Sequence, residues 1–348
     1  MNKKFIPLDI FVEKALYDPN RGYYNKKFPF GRKGDFITAP TISNLFSEII
    51  AIWIISSWER LGKPDKFNFV ELGPGDGSLT KVLLRTFKKF PVFYESTNVY
   101  LYEKSNFLKK FQKKEIKDKK VKWIKDFNKL IGPVIFFGNE FFDAIPIKQF
   151  IKKGKKYFEK HYTIDRDKIL YETFEKAKIS DINKIESFKV FNKTEFIEYP
   201  KLGFIELDRI TNIINENSGG ILLIDYGYLN FKNKSTLQAV MDNKKVSLKD
   251  LSRKFGNVDI TYLVNFNLLK EYFLKNNLKV KKIVSQKFFL EKMGIIERAK
   301  ILEKRMNDKQ KDYMNLTLLR LLHKELMGDL FKVIFAYKNK NKNFLGFD

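Results

Sequence analysis

The 348-residue chain contains no cysteine and only two histidines, His161 and His323. The first absence removes disulfides, thiolate nucleophiles and zinc–thiolate sites together, and it fits a reducing compartment. The second leaves too few imidazoles for a histidine-built metal centre. Neither histidine reads as catalytic, His323 falling on a helix face as a surface residue, and no metal is expected. No run approaches the roughly 18 consecutive apolar residues of a membrane-spanning helix. The N-terminus, MNKKFIPLDIFVEKALYDP, lacks a long apolar stretch and a small-residue cleavage site, and Asp9 and Glu13 argue against a transit peptide. A cytoplasmic, bacterial protein without a membrane span is the expectation. Acids are also scarce, 41 against 67 basic residues, which gives a net charge of +26. Such a balance points first to nucleic acid. Yet only 10 of the cations are arginine and 57 are lysine, whereas phosphate readers favour the arginine fork. Clusters at 117–120 and 152–156 therefore read as solvated surface, part of a compositional bias that also enriches Asn, Ile and Phe.

What the chain does have is a 44% hydrophobic content, enough for a sizeable core. Helical spacing is present at 8–17 and 42–61. Between them lies a Gly-, Pro- and aromatic-rich loop of about 24 residues, a length that suits function. From residue 67 strands alternate with helices: strands at 67–72, 97–103, 121–124 and 133–138, helices at 77–89 and 105–114. Segments 147–151, 156–164 and 168–172 read as a strand-rich insert. A helix at 203–217 leads to the strand ILLIDYG. Further helices are expected at 266–277, 295–306 and 309–325, and further strands at 279–288 and 331–337. This alternation predicts an α/β fold, a doubly wound, Rossmann-like sheet covered on both faces. The expected organisation is a helical arm with a lid loop over 1–62, then one α/β domain over 63–348 with an insert at about 147–202.

The stretch FVELGPGDGSL (69–79) sits at the first strand-to-helix turn. In a doubly wound sheet ligands bind beyond the carboxyl ends of the strands, and glycine there lets a ligand approach backbone and helix N-terminus. A merely sharp structural turn is the competing reading. The pattern is neither a P-loop nor the dinucleotide fingerprint. Glu71, Gly73, Gly75 and Gly77, spaced as acid-x-Gly-x-Gly-x-Gly, resemble motif I of class I S-adenosylmethionine-dependent methyltransferases. That resemblance implies S-adenosyl-L-methionine as cofactor, an acid after the second strand that grips the ribose hydroxyls, which is Glu103, and an acid with an apolar neighbour at the adenine, Asp126 and Phe127. Asp126 serves equally well as a capping acid.

The resemblance extends over roughly residues 9–337. ALYDPNRGYYNKKFPFGRKGDFITAP, VELGPGDGSL, GNEFFDAIPIKQF, LLIDYGY, TLQAV, VDITYLVNF and MGDLFKVIF follow one another as in the MidA family. These are relatives of the mitochondrial arginine methyltransferase that assists assembly of respiratory complex I. The implied activity is methylation of a protein substrate, such as arginine in a complex I subunit. Thr41, Ser47, Met241 and Asn243 depart from the family pattern in segments on the substrate side. Glu140 and Asn139, at the end of the fourth strand, are candidates for acceptor and donor binding, with Asp143 as a supporting acid; each acid also suits a turn. Tyr24, Gly34, Asp35, Phe36 and Thr38 read as a lid, or as an ordered arm with packed aromatics. Asp225 and Tyr226 read as acceptor-cleft residues, or as a strand-ending turn. Asp259 and Thr261 match a family motif and could instead cap a helix. Two other functions stay open: a nucleic-acid methyltransferase, which would want an NPPY-type strand end where this chain has NEFF, and a donor-binding assembly chaperone whose catalysis is dispensable. The oligomeric state is not readable.

Overall fold

Strands buried on both faces cannot alternate polar with apolar residues, and the apolar runs of this chain follow that rule. In the computed structural model, which describes residues 5–26, 29, 39–42, 44–165, 169–230, 232–242 and 244–348, they form one central sheet. Its strands are β1 (Phe67–Leu72), β2 (Thr97–Tyr102), β3 (Val121–Ile124), β4 (Val134–Asn139), β5 (Gly219–Tyr228) and β6 (Phe331–Lys338). The order is β3-β2-β1-β4-β5-β6, the first five strands parallel and β6 antiparallel to β5. Phe67 lies opposite Thr97, and Val134 opposite both Asn68 and Gly219. Strand order reverses between β1 and β4, which places the switch point beyond Leu72 and Asn139.

Helices α1 (Leu8–Tyr17), α2 (Asn44–Arg60), α3 (Ser78–Phe87), α4 (Asn106–Glu115), α5 (Lys201–Asn217), α6 (Phe266–Lys275) and α7 (Asp308–Leu322) cover the sheet. Val70, Leu72, Phe136 and Leu223 point into a core shared with α1, α5 and α6. Phe69, Leu101, Phe137 and Leu222 point the other way, against α2, α3 and α7. Residues 125–133 cross from β3 to β4 without a helix. There α5 closes the sheet instead: Arg209 donates to the carbonyl of Lys125 at 3.2 Å and lies 5.3 Å over the Phe127 ring.

The insert is an antiparallel sheet of Lys148–Lys153, Lys156–Ile164, Leu170–Lys176 and Phe196–Tyr199, with Ile6–Pro7 paired to His161 and Tyr162. Buried Lys148 fastens it to α1. Its ammonium pairs with Glu159, lies 3.3 Å from Asp181 and 3.8 Å from Asp9. A buried cation is tolerated only with such partners, and the group fixes α1, whose Glu13 and Tyr17 reach the site described below.

One expected strand is shorter than its pattern. Only Lys279–Val280 and Val284–Ser285 pair with β6, and Ser285 Oγ accepts the N–H of Phe288 at 3.3 Å to start a helix over Gln286–Lys292. The N-cap takes over where the alternation seemed to continue. Three short elements carried no strong periodicity: the helices Pro91–Ser96 and Ile179–Glu186, and a small sheet of Gln238–Met241, Lys244–Val246 and Asp259–Thr261. Gly31, Gly34, Asp35, Phe36, Thr38 and Asn243 lie outside the described residues, as does the side chain of Thr41.

Candidate active site

The glycine turn connects β1 to α3. Gly73, Gly75 and Gly77 have φ of +63°, +55° and +76°, a region costly for other residues. A Cβ on Gly77 would meet Ile116 Cδ1 at 2.9 Å, and one on Gly73 would meet Phe141 Cδ2 at 3.1 Å. The Gly73 N–H is tied to the Tyr102 carbonyl at 2.9 Å, so the turn is referenced to β2. Asp76 accepts the Ser78 N–H at 2.8 Å and the Ser78 hydroxyl at 2.6 Å, at the start of α3.

Two acids flank the turn, and both are supplied with protein donors. Glu71 accepts the Thr80 hydroxyl. Burial nevertheless pushes its carboxyl up to about 8. Glu103 accepts the Ser105 N–H at 2.8 Å on Oε1 and the Gln112 amide at 3.0 Å on Oε2. Burial pushes it up to about 7 against these bonds. The Lys104 N–H bonds the same carboxyl, which leaves about one of its four acceptor sites for a further donor. Gln112 also donates to the Gly75 carbonyl at 2.9 Å and accepts the Trp123 indole N–H at 2.9 Å. It is the pin between the glycine turn and Glu103, and sequence reasoning passed over it. Its signal was a polar residue four positions after Leu108 on the buried stripe of α4.

Around this turn lies a cavity of about 270 Å³. Its wall includes Glu71, residues 73–76 and Leu79; Tyr102, Glu103, Lys104 and Leu108; residues 139–141 and 144–146; Glu13, Tyr17, Tyr24 and Pro40; and Leu202, Ile205 and Glu206 of α5. Glu71, Gly73, Gly75, Glu103, Asn139, Glu140 and Tyr24 are thus brought together, whereas Gly77, Asp126, Phe127, Asp143, Asp225 and Tyr226 do not line the wall. Asp126 is exposed and accepts the Asn128 N–H at 3.2 Å, a turn contact. Phe127 is buried between Tyr102 and Phe136, its ring centroid 4.9 Å and 5.1 Å from theirs.

At the other end, residues 139–143 make a tight turn after β4. Glu140 has φ +50°, held by its N–H on the Ile224 carbonyl at 2.9 Å. Asp225 Oδ2 accepts the N–H groups of Phe142 at 2.9 Å and Asp143 at 3.2 Å, so Asp225 braces the turn from behind. The Tyr226 hydroxyl bonds Asp143. The Asn139 amide donates to Glu140 Oε1 at 3.1 Å, and the Ala39 N–H also reaches that carboxyl. Burial, then the charge of Asp143, pushes Glu140 up to about 8, with Arg320 acting weakly the other way. Burial raises Asp143 to about 6, and burial with the charges of Asp143 and Glu140 raises Asp225 well above the usual range. Among the described residues none of these three acids forms an ion pair. Among the described residues Asn139 Oδ1 and Asp143 Oδ1 are buried acceptors without a partner.

Aromatics complete the wall. Tyr17 and Tyr24 stack at 5.4 Å; Tyr17 donates to the Ala144 carbonyl at 3.2 Å and Tyr24 to Asp259 at 3.1 Å. Asp259 and Thr261 lie in a short strand and cap no helix. Among the described residues no group of three or more His, Asp or Glu side chains is disposed to hold a metal ion, and no helix is long and apolar enough to cross a membrane.

The positive-φ cradle and the acceptors around it fit an S-adenosylmethionine-sized donor: residues 73–76 line the cavity, the Glu103 carboxyl keeps acceptor capacity, and Asn139 Oδ1 has no hydrogen-bond partner among the described residues. Comparison with known proteins agrees. Residues 49–284 match the family described as "Putative S-adenosyl-L-methionine-dependent methyltransferase". A protein from Burkholderia thailandensis, crystallised bound to S-adenosyl-homocysteine, is 21% identical and superposes with a TM-score of 0.82 over 98% of this chain and 89% of that one. The likeness shows the fold: a class I methyltransferase sheet with extra antiparallel sheets. The mitochondrial protein arginine methyltransferase NDUFAF7 of Xenopus laevis is 29% identical over 332 residues, 87% of this chain and 74% of the relative. The Homo sapiens protein of that name is 29% identical over 328 residues, 86% and 72%.

Proposed function

From the premise that the chain belongs to the MidA family of S-adenosylmethionine-dependent methyltransferases, we propose that it methylates an arginine side chain of a protein, with a respiratory complex I subunit or a related protein as acceptor. The observation that carries this reading is the acceptor end of the cavity. Glu140 stands on its wall, Asp143 and Asp225 stand behind it, none is in an ion pair among the described residues, and buried acceptors are left over. Such a constellation is costly until a cation with several N–H groups enters. A guanidinium brings one charge and five donors in a plane.

When bound, the donor supplies a methyl group on a sulfonium sulfur. The protein's own work is placement and charge. Residues 73–76 and Glu103 hold the donor against the switch point, and Asn139 stands between donor and acceptor ends. Glu140 accepts hydrogen bonds from the guanidinium and draws its positive charge away from the reacting nitrogen. That nitrogen becomes the better nucleophile, and Glu140 takes the proton it sheds after methylation. Without acceptor the Glu140 carboxyl is pushed up to about 8, so it is mostly protonated at neutral pH. Entry of the cation favours the carboxylate and releases a proton. Tyr17 and Tyr24 shield this step from water, and Asp225 acts on it only through the turn it braces.

The test is to incubate the protein with isotopically labelled S-adenosylmethionine and cell extract and to map the label by mass spectrometry. Label on arginine of a protein is the expected result. Label confined to another residue type or to nucleic acid overturns the acceptor assignment.

A further inference from the structure

We propose that Glu206, on α5, reads the adenine edge of the donor by accepting a hydrogen bond from its exocyclic amino group. This deepens the S-adenosylmethionine reading and rests on it, but not on arginine as acceptor. With the methionine part along residues 73–76 and the ribose at Glu103, the purine is left the far side of Glu103. The wall there consists of Tyr102, Leu202, Ile205 and Glu206. Two aliphatic side chains and an aromatic ring suit a flat heterocycle, and Glu206 is the acid among them. Its Oε2 accepts the Tyr102 hydroxyl at 2.9 Å and Arg209 Nη1 at 3.0 Å. Its Oε1 takes no protein donor among the described residues, so a wall carboxylate fixed by two neighbours keeps one open acceptor.

The same contacts explain why Asp126 does not stand there. No helix follows β3, and α5 fills the space over 125–133. Arg209 bonds the Lys125 carbonyl at 3.2 Å and covers the Phe127 ring. The helix thereby separates Asp126 from the cavity and brings Glu206, one turn before Arg209, to its edge.

An adenine offers a donor at position 6, whereas a hypoxanthine offers an acceptor that a carboxylate repels. The experiment is calorimetric titration of S-adenosylhomocysteine and S-inosylhomocysteine into the wild-type protein and into Glu206→Gln, Glu206→Ala and Asp126→Asn. The wild type is expected to prefer the adenine compound about 10- to 100-fold, the range of a hydrogen bond to a charged group. Glu206→Gln, which can still accept from Tyr102 and Arg209 and can offer an amide N–H to the oxo group, should bring the two compounds within about threefold. Glu206→Ala should also lose the preference, with affinity for the adenine compound reduced. Asp126→Asn should keep it, and thermal melts establish that each variant is folded. Loss of the preference in Asp126→Asn, or its survival in both folded Glu206 variants, overturns the assignment. A wild-type protein that binds neither compound overturns the donor reading itself, and this assignment with it.

Discussion

The two ends of the cavity are built on opposite principles. At the donor end the acids of the glycine turn and the end of β2 have uncharged protein donors: Thr80 on Glu71, Ser105 and Gln112 on Glu103, Ser78 on Asp76. Backbone does the shaping there, through three left-handed glycines. At the acceptor end side chains do the shaping: the Asn139 amide and the Ala39 N–H serve Glu140, the N–H groups of Phe142 and Asp143 serve Asp225, and the Tyr226 hydroxyl bonds Asp143, without an ion pair among the described residues. Glu140 is a non-glycine residue at φ +50°, Asp143 and Asp225 share a buried space with it, and acceptor atoms of Asn139 and Asp143 have no partner among the described residues. We read the first end as a cradle of backbone and pinned carboxylates for the donor. We read the second as a pocket of raised carboxyls that the proposed cationic side chain of the acceptor would ionise.

The contrast is broken first at Glu140. Changing it to Gln should lower turnover by about 10²- to 10⁴-fold, the usual worth of a positioned proton acceptor. Affinity for S-adenosylhomocysteine should stay within about threefold. Single-turnover rates and calorimetry on the same preparation separate the two, and unchanged turnover would remove Glu140 from the chemistry. The reciprocal change, Glu103→Gln, should weaken S-adenosylhomocysteine binding by about 10- to 100-fold, with turnover at saturating donor nearly preserved. If both variants moved both quantities alike, the two ends would be one functional unit.

A smaller effect is expected from Gly77→Ala. The residue caps α3 at φ +76° and its added Cβ would press on Ile116 Cδ1, the end of a flexible side chain that can yield. The left-handed conformation then sets the cost, about 1–2 kcal/mol for an L-residue, read as a lower unfolding midpoint. Because Gly77 does not line the cavity, donor affinity should change less than stability does. The reverse outcome would place this glycine against the ligand.

How much of this was legible in the sequence follows the same division. The central strands and their turns were legible because continuous burial leaves an unbroken apolar run, and because a cradle made of backbone must be written in glycine. The place of Glu103 on the wall was legible from its position after β2. The acceptor end was legible only as a string of acids. That Glu140 is on the wall while Asp143 and Asp225 stand behind it depends on hydrogen bonds between residues 142–143 and 225, which no local pattern encodes. Asp126 and Glu206 make the case most sharply. The acid that resemblance assigns to the purine does not line the cavity, and Arg209 of α5 instead packs on its neighbours Lys125 and Phe127. The N-cap at Ser285 was misread because two flanking apolar positions imitate strand alternation for a few residues.

The smallest effect, and the one that weighs the two ends directly, is on stability against pH. Glu140 titrates at about 8 and Glu103 at about 7 in the folded chain, whereas an unfolded chain returns both to about 4.3. Between these values the folded protein holds more protons than the unfolded one, so unfolding free energy falls as pH rises. The stabilisation is fully present below about pH 4 and is lost as pH climbs through 7 and then 8. A glutamine cannot titrate, so each Glu→Gln variant should flatten the decline in unfolding midpoint between pH 5.5 and 8.5 by its own share. Glu140→Gln should flatten it more than Glu103→Gln. The charge of Asp143 adds to burial at Glu140, whereas the donors from Ser105 and Gln112 offset burial at Glu103. Equal flattening by the two variants would mean that the acceptor end is no more strained than the donor end, and the reason given for its appetite for a cation would be gone.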